Sequence, residues 1–268
     1  MSIHHFGQEA QAAVDKARQK VADFLNCVPG EIFFTSGATE SNNWVIKGIL
    51  KAYHNKIRAN SFKIRHHSRV LKPHIITTQI EHHCLLNACK TAEREGLAEI
   101  TYLPVYKEGV VKLQDLKKAI KKNTILISVM YVNNEIGTVQ PIEEIGKLIK
   151  KYKILNTKYK ILFHTDATQA VNYFDCDVNK LGVDLLSLSG HKIYGPKGVG
   201  ALYIRQGTPI MQIMDGGEQE FGRRAGTHNV PGIVGLGFAV KQIQDTRYKK
   251  IEGLFNKKGT KGNSRSLS

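Results

Sequence analysis

Long apolar runs are missing from this 268-residue chain. No stretch reaches the roughly 18 consecutive apolar residues of a membrane-spanning helix, so no such span is expected. Residues Met1 to Gln11 lack the basic segment and apolar core of a secretory signal, and the cytoplasm is the expected compartment. Cysteine is scarce. Cys27, Cys84, Cys89 and Cys176 include no C-x-x-C pair and are too few for a disulfide scaffold at this length. Cys84 and Cys89 lie near His82 and His83, but a zinc site calls for a second spaced ligand pair, and none follows. No metal is expected, and all four cysteines read as structural thiols.

Acidic residues are in deficit, 23 Asp+Glu against 39 Lys+Arg, for a net charge of +16. The imbalance is local. Residues 51–72 hold seven Lys/Arg and no Asp/Glu, and residues 247–268 hold seven Lys/Arg against one Glu, so these two segments carry +13 of the +16. A basic stripe can attract nucleic acid or acidic partners. Without interleaved aromatics or a nucleic-acid motif, it reads as a solvated loop and a tail, and nucleic acid is not an expected partner.

What is present is an alternation of apolar strands and amphipathic helices. Residues 8–26 place Ala13, Ala17, Val21, Phe24 and Leu25 at helical spacing. Further helices are expected over 40–50, 82–95 (stopped by Gly96), 113–121 and 142–152, the last opened by Pro141. Strands are expected over 31–35, 73–79, 100–104, 124–131, 160–164, 185–189, 198–204 and 210–214. Residues 51–72 read as an extended basic loop. This order argues for an α/β three-layer sandwich with a mostly parallel sheet. One large domain is expected over residues 1–248, followed by a basic, disordered tail over 249–268.

Three segments carry chemistry. Thr35-Ser-Gly-Ala-Thr-Glu40 joins a strand to a helix through small residues. Its backbone amides at the positive helix end suit an anion, with Ala38 and Thr39 nearest; the plainer reading is an ordinary connection capped by Thr. His164-Thr-Asp166-Ala-Thr-Gln169 ends an apolar strand, where open α/β sheets bind ligands. Asp166 there either pairs with a protonated ring nitrogen or caps the next helix. Ser187-Leu-Ser-Gly190-His191-Lys192-Ile-Tyr-Gly-Pro-Lys-Gly198 sets a lysine after an apolar strand, where burial would keep it nucleophilic toward an aldehyde. Lys197 in the same turn is the exposed-loop counterpart.

Together with Glu81-His82, Val132-Asn-Asn-Glu-Ile-Gly137 and Arg224-Ala-Gly-Thr227, these segments follow the order seen in cysteine desulfurases, and the chain resembles that family from about Ile3 to Gln244. The family belongs to the class V branch of the fold-type I aminotransferases that use pyridoxal 5′-phosphate (PLP). The resemblance implies roles for individual residues. Lys192 would hold the cofactor aldehyde as a Schiff base, and Asp166 would pair with the pyridinium nitrogen. His82 would stack on the ring and assist proton transfer. Gln169 would hydrogen-bond the phenolic oxygen, with Asn134 beside it. Ala38, Thr39, Ser189 and His191 would bind the phosphate, and Thr227 would reach the phosphate of a partner subunit in a homodimer. The implied reaction removes sulfur from L-cysteine, leaving L-alanine and a persulfide on a cysteine thiol, to be passed to an iron–sulfur scaffold or another sulfur-acceptor protein.

The sequence departs from the family at both ends. An Asn-Ala-Ala-Thr-Thr-Pro-like turn that precedes the first helix is missing, as is the C-terminal small domain that brings the nucleophilic cysteine. The alternative implied is a truncated, non-catalytic protein that binds PLP or a dimer partner without the persulfide cysteine. Apolar surface left uncovered would favour self-association.

Overall fold

Near-continuous apolar strands are stable only where both faces of their sheet are covered. That is the arrangement in the computed structural model, which describes residues 4–61, 72–155 and 161–259. In chain order the elements are α1 (His5–Leu25), β1 (Ile32–Thr35), α2 (Ala38–Ser61), β2 (His74–Thr78), α3 (His83–Arg94), β3 (Glu99–Leu103), α4 (Leu113–Ala119), β4 (Thr124–Ser128), α5 (Ile142–Leu155), β5 (Leu162–Asp166), α6 (Val178–Leu181), β6 (Leu185–Ser189), β7 (Gly200–Ile204), α7 (Gln219–Gly222) and α8 (Val230–Gly259). Short 3-10 turns cover Pro29–Glu31 and Gly190–Ile193.

The strands form one seven-stranded sheet in the order β1-β7-β6-β5-β4-β2-β3. All neighbours pair in parallel except β7, which runs antiparallel to both β6 and β1. The carboxyl ends of β1, β4, β5 and β6 therefore open on one edge. Strand alternation sends Phe163, Leu186 and Tyr203 to one face, where Val21 and Leu25 of α1 pack with Leu236 and Val240 of α8. Leu162, Leu185 and Leu202 face the other way, onto Trp44 and Ile46 of α2 and Leu85 and Cys89 of α3. These are the three layers of the expected α/β sandwich.

The structure departs from the sequence expectations in three places. First, α2 continues through residues 51–61, where a loop is expected. Ile46, Ile49, Leu50 and Tyr53 are buried at helical spacing and Ile57 packs beside them, so a core-facing stripe runs under the surface lysines. Residues 62–71 of the expected loop lie outside the described residues. Second, residues 210–214 form no strand. Met211 instead lies along α2, donating its amide to the Gly48 carbonyl (3.1 Å) and accepting the Trp44 indole N–H (2.9 Å).

Third, α8 has no counterpart among the expected helices and extends to Gly259, into the expected tail; residues 260–268 lie outside the described residues. Its glycines hide the helical signal in the sequence and make the packing with α1 possible. A Cβ on Gly237 would sit 2.8 Å from the Ala17 Cα and Cβ. A groove of about 1260 Å³ opens along α1 and α8, lined in part by Phe24, Tyr173, Tyr194 and Phe238. Tyr173, Tyr194 and Phe238 are exposed, which marks the surface on which self-association would act.

The edge strand β1 is closed off by a side chain. Glu220, with a left-handed φ of 48°, accepts the Phe34 amide at 2.7 Å and a two-pronged ion pair from Arg18 at 2.6 and 2.8 Å. His228 Nε2 lies 2.7 Å from the same carboxylate, and the Arg18 guanidinium stands over the Phe34 ring. Arg18 and Glu220 are both buried. Removing one partner of such a pair strands the other charge out of water. Glu220→Ala is expected to lower unfolding free energy by roughly 3–5 kcal/mol, read from urea unfolding. A loss under 1 kcal/mol would contradict this account of the pair.

Candidate active site

Three chain segments meet at the open sheet edge. Thr35, Gly200 and Ser189 are in register across β1, β7 and β6, so the turn after β1 lies beside the end of β6. The approach depends on glycine: a Cβ on Gly200 would lie 2.7 Å from the Gly37 Cα, and Gly37 itself has φ 147°. Ser189 is buried, with its Oγ 3.0 Å from His191 Nδ1. The first amides of α2, those of Ala38 and Thr39, have no partner within the helix and head this turn. Burial and the charges of Lys192 and Lys197 keep His191 below its ordinary pKa.

The turn is held by an ion pair. Arg224 grips the Glu40 carboxylate with two bonds of 2.8 and 3.0 Å, and the Ser36 amide donates to it at 2.8 Å. Partial burial opposes the Glu40 charge, but these donors outweigh it and hold the carboxyl below its ordinary pKa. Thr227, three residues after Arg224, is exposed, and its loop is tied to the turn by this fork.

Asp166 ends β5 and is buried. Its Oδ1 accepts the Thr168 amide at 2.9 Å and its Oδ2 accepts the Asn42 side-chain amide at 2.6 Å. Two residues back on the same strand face, His164 bridges Ser128 Oγ (2.8 Å) and Ser187 Oγ (3.0 Å). Burial pushes His164 down to about 4, against the pull of the Asp166 charge. Glu81 is also buried. Its Oε1 accepts the Thr78 hydroxyl (2.9 Å) and the Met130 amide (2.8 Å), and burial raises it to about 8. At neutral pH both neighbours of Asp166 are predominantly uncharged.

His82 caps α3 with its ring exposed, and its Nδ1 accepts the Cys84 amide at 3.2 Å. The Cys84 thiol lies 3.0 Å from the same nitrogen and 3.2 Å from Asn42 Nδ2. Burial raises the pKa of Cys84. Gln169 is half-buried in the turn after β5. Asn134 is exposed on a loop fixed by its neighbour Asn133, which donates to the Ile80 carbonyl at 2.8 Å and accepts the amides of Glu135 and Ile136.

Lys192 corrects one expectation. It follows β6 in the 3-10 turn Gly190–Ile193, but its side chain is exposed rather than buried. The turn buries Gly190 and Ile193, and Tyr194 after it is left-handed (φ 61°). The Lys192 carbonyl accepts the Asn172 side-chain amide at 2.7 Å.

The structure thus gathers Ala38, Thr39, Ser189 and His191 in one cluster, with Asp166 and His82 joined through Asn42 and Cys84 in another. Sequence reasoning assigned no site role to Asn42, Thr168, Glu81, His164 or the Glu40–Arg224 pair. Glu81 precedes His82 and Asn42 lies two residues past the Thr35–Glu40 turn, but nothing local marks them; Asn42 finds its partner where α2 meets the end of β5, and Glu81 where the end of β2 meets the segment after β4. The arrangement suits a ligand with an anionic group at one end and a protonated aromatic nitrogen at the other. Among the described residues, Asn42 Oδ1, Glu81 Oε2 and Thr168 Oγ1 are buried and find no hydrogen-bond partner, so polar capacity remains around Asp166.

The Aminotransferase class-V profile matches residues 1–260. The chain belongs to the class-V aminotransferase family. Members of that family and the cysteine desulfurases are PLP-dependent enzymes, and the residues at the sheet edge fit that cofactor. Cysteine desulfurase IscS of Dictyoglomus turgidum is 50% identical over 253 residues, covering 94% of this chain and 58% of that protein. The human cysteine desulfurase is 47% identical over 256 residues, covering 94% of this chain and 51% of that protein. A solved NifS-like protein superposes with a TM-score of 0.79 at 42% identity, over 95% of this chain and 67% of its own. A structure of SspA in complex with cysteine gives 0.77 at 42% identity, over 94% and 68%. This class-V chain thus spans somewhat more than half the length of the curated relatives it matches.

The buried carboxyl of Glu81 has a consequence for stability. Its pKa is raised on folding, so the stability it contributes is fully present below the ordinary value of 4.5 and is lost as pH rises through about 8. His164 acts in the opposite sense, losing its contribution as pH falls from 6.5 through about 4. Above pH 6.5 Glu81 therefore sets the slope. Stability is expected to fall by up to about 2 kcal/mol between pH 6.5 and 8, and Glu81→Gln is expected to flatten that interval in urea titrations. An unchanged slope in the variant would rule out this role.

Proposed function

We propose that this chain is the cofactor-binding large domain of a cysteine desulfurase, which takes sulfur from L-cysteine and leaves L-alanine and a persulfide. The observation that carries the reading is the Asp166 carboxylate, held at the end of β5 by Asn42 and Thr168 and linked through Cys84 to the exposed ring of His82. The high identity to proteins named cysteine desulfurase supports the substrate.

PLP supplies an aldehyde that condenses with amines and a protonated ring that accepts electron density from the bound substrate. In this reading Asp166 holds the ring nitrogen and keeps its proton in place. Ala38 and Thr39 amides, Ser189 Oγ and His191 bind the phosphate. His82 packs on the ring face and assists proton transfer. Gln169 donates to the phenolic oxygen, with Asn134 beside it. Lys192 Nζ, exposed at the sheet edge, would hold the aldehyde and would serve as the proton carrier at the substrate carbon. Thr227, on the loop pinned by Arg224 to Glu40, reaches the phosphate of a partner subunit in a homodimer.

The four thiols of the chain do not have the setting of a nucleophile. Burial pushes Cys27 and Cys89 up to about 12 and raises Cys84, and Cys176 is buried. The thiol that attacks the substrate sulfur is therefore supplied from outside these four positions, and an iron–sulfur scaffold or other sulfur-acceptor protein takes the product. Among the described residues no helix is long and apolar enough to cross a membrane; we place the reaction in the cytoplasm.

The test is the visible absorption of the purified chain with added PLP, before and after L-cysteine. The unaltered chain is expected to show a band that shifts with cysteine, and Lys192→Ala to lose it. No band in the unaltered chain, or a band that survives Lys192→Ala unchanged, would overturn the proposal.

A further inference from the structure

We propose that Asn42 is a positioning residue for the cofactor ring, its side-chain amide fixing the Asp166 carboxylate so that one lone pair faces the ring nitrogen. The inference rests on the cofactor reading above and adds to it a residue that touches no part of the ligand.

Asn42 stands on the second turn of α2, four residues after Ala38, and is fully buried. Its Nδ2 donates to Asp166 Oδ2 at 2.6 Å and lies 3.2 Å from Cys84 Sγ, so one amide bridges α2, β5 and α3. The amide orientation is dictated by its partner, because turning it over would set Oδ1 against a carboxylate oxygen. Each oxygen of Asp166 then holds one donor, Thr168 N on Oδ1 and Asn42 Nδ2 on Oδ2. A carboxylate has room for about two donors on each oxygen, so capacity remains for a cationic N–H.

The position along α2 gives this contact its purpose. The same helix begins at the anion turn and, one turn later, grips the carboxylate. Its rigid 1.5 Å rise per residue therefore sets the spacing between the phosphate end and the ring-nitrogen end of the site. The other polar side chains near Asp166 do not replace Asn42. His164 is committed to Ser128 and Ser187, and Glu81 Oε1 to Thr78 and Met130.

The experiment is a double-mutant cycle on PLP affinity, measured by equilibrium titration of the full chain carrying Asn42→Ala, Asp166→Ala, both changes, or neither. Asn42→Ala is expected to weaken binding roughly tenfold to a hundredfold, the worth of a hydrogen bond to a charged group. In the Asp166→Ala background the same change is expected to have no further effect, because Asn42 acts through that carboxylate. Asn42→Asp, which preserves volume but sets an acceptor against Asp166, is measured beside it and is expected to weaken binding at least as much; it keeps the test open if Asn42→Ala does not fold. Equal affinity of the Asn42 variants and the unaltered chain, or losses that add in the double variant, would overturn the inference while leaving the cofactor reading intact. Failure of the unaltered chain to take up PLP would overturn both.

Discussion

A carboxylate can be kept out of water only where donors replace the water it gives up. Asp166, buried at the end of β5, is the point at which this protein meets that demand, and much of the open sheet edge is arranged around it. Thr168 supplies a backbone amide from the following turn and Asn42 a side-chain amide from α2. Two titratable groups that feel its charge, Glu81 and His164, are driven toward their neutral forms by burial. The corner is thus polar without being crowded by charge, which is the setting a protonated aromatic nitrogen requires.

Around that corner the fold acts as a spacer. Glycine at positions 37 and 200 lets the turn after β1 close on the end of β6, and the Glu40–Arg224 fork ties the distant Thr227 loop to the same turn. A second buried pair, Arg18 with Glu220, anchors the start of that loop to α1 and blocks the edge of β1. The anion turn and the loop are therefore held by three separate devices around one sheet.

The sheet was largely legible in the sequence because its strands are uninterrupted apolar runs, and Leu185–Ser189 is placed to the residue. Helix signals failed where another pattern covered them. Lysines on the outer face of α2 hid the stripe of Ile49, Tyr53 and Ile57, and glycines needed for the contact with Ala17 hid α8. At the candidate site, Asp166 and Lys192 drew attention because each follows an apolar strand, whereas His82 and Ser189 were named only through the family resemblance. Asn42 and Glu81 were not legible, since an asparagine or glutamate on a helix or loop looks ordinary until the chain folds and buries it. The burial expected for Lys192 failed for a related reason: it stands in a short 3-10 turn beyond β6 whose buried positions are Gly190 and Ile193.

The central claim is that the sheet edge presents one lysine to the cofactor aldehyde. It is tested most directly by adding PLP to the chain, reducing with borohydride, and mapping the modified peptide by mass spectrometry. The account predicts a single phosphopyridoxyl group, on Lys192. A label on Lys197, or one spread over surface lysines with Lys192 unmodified, would contradict it.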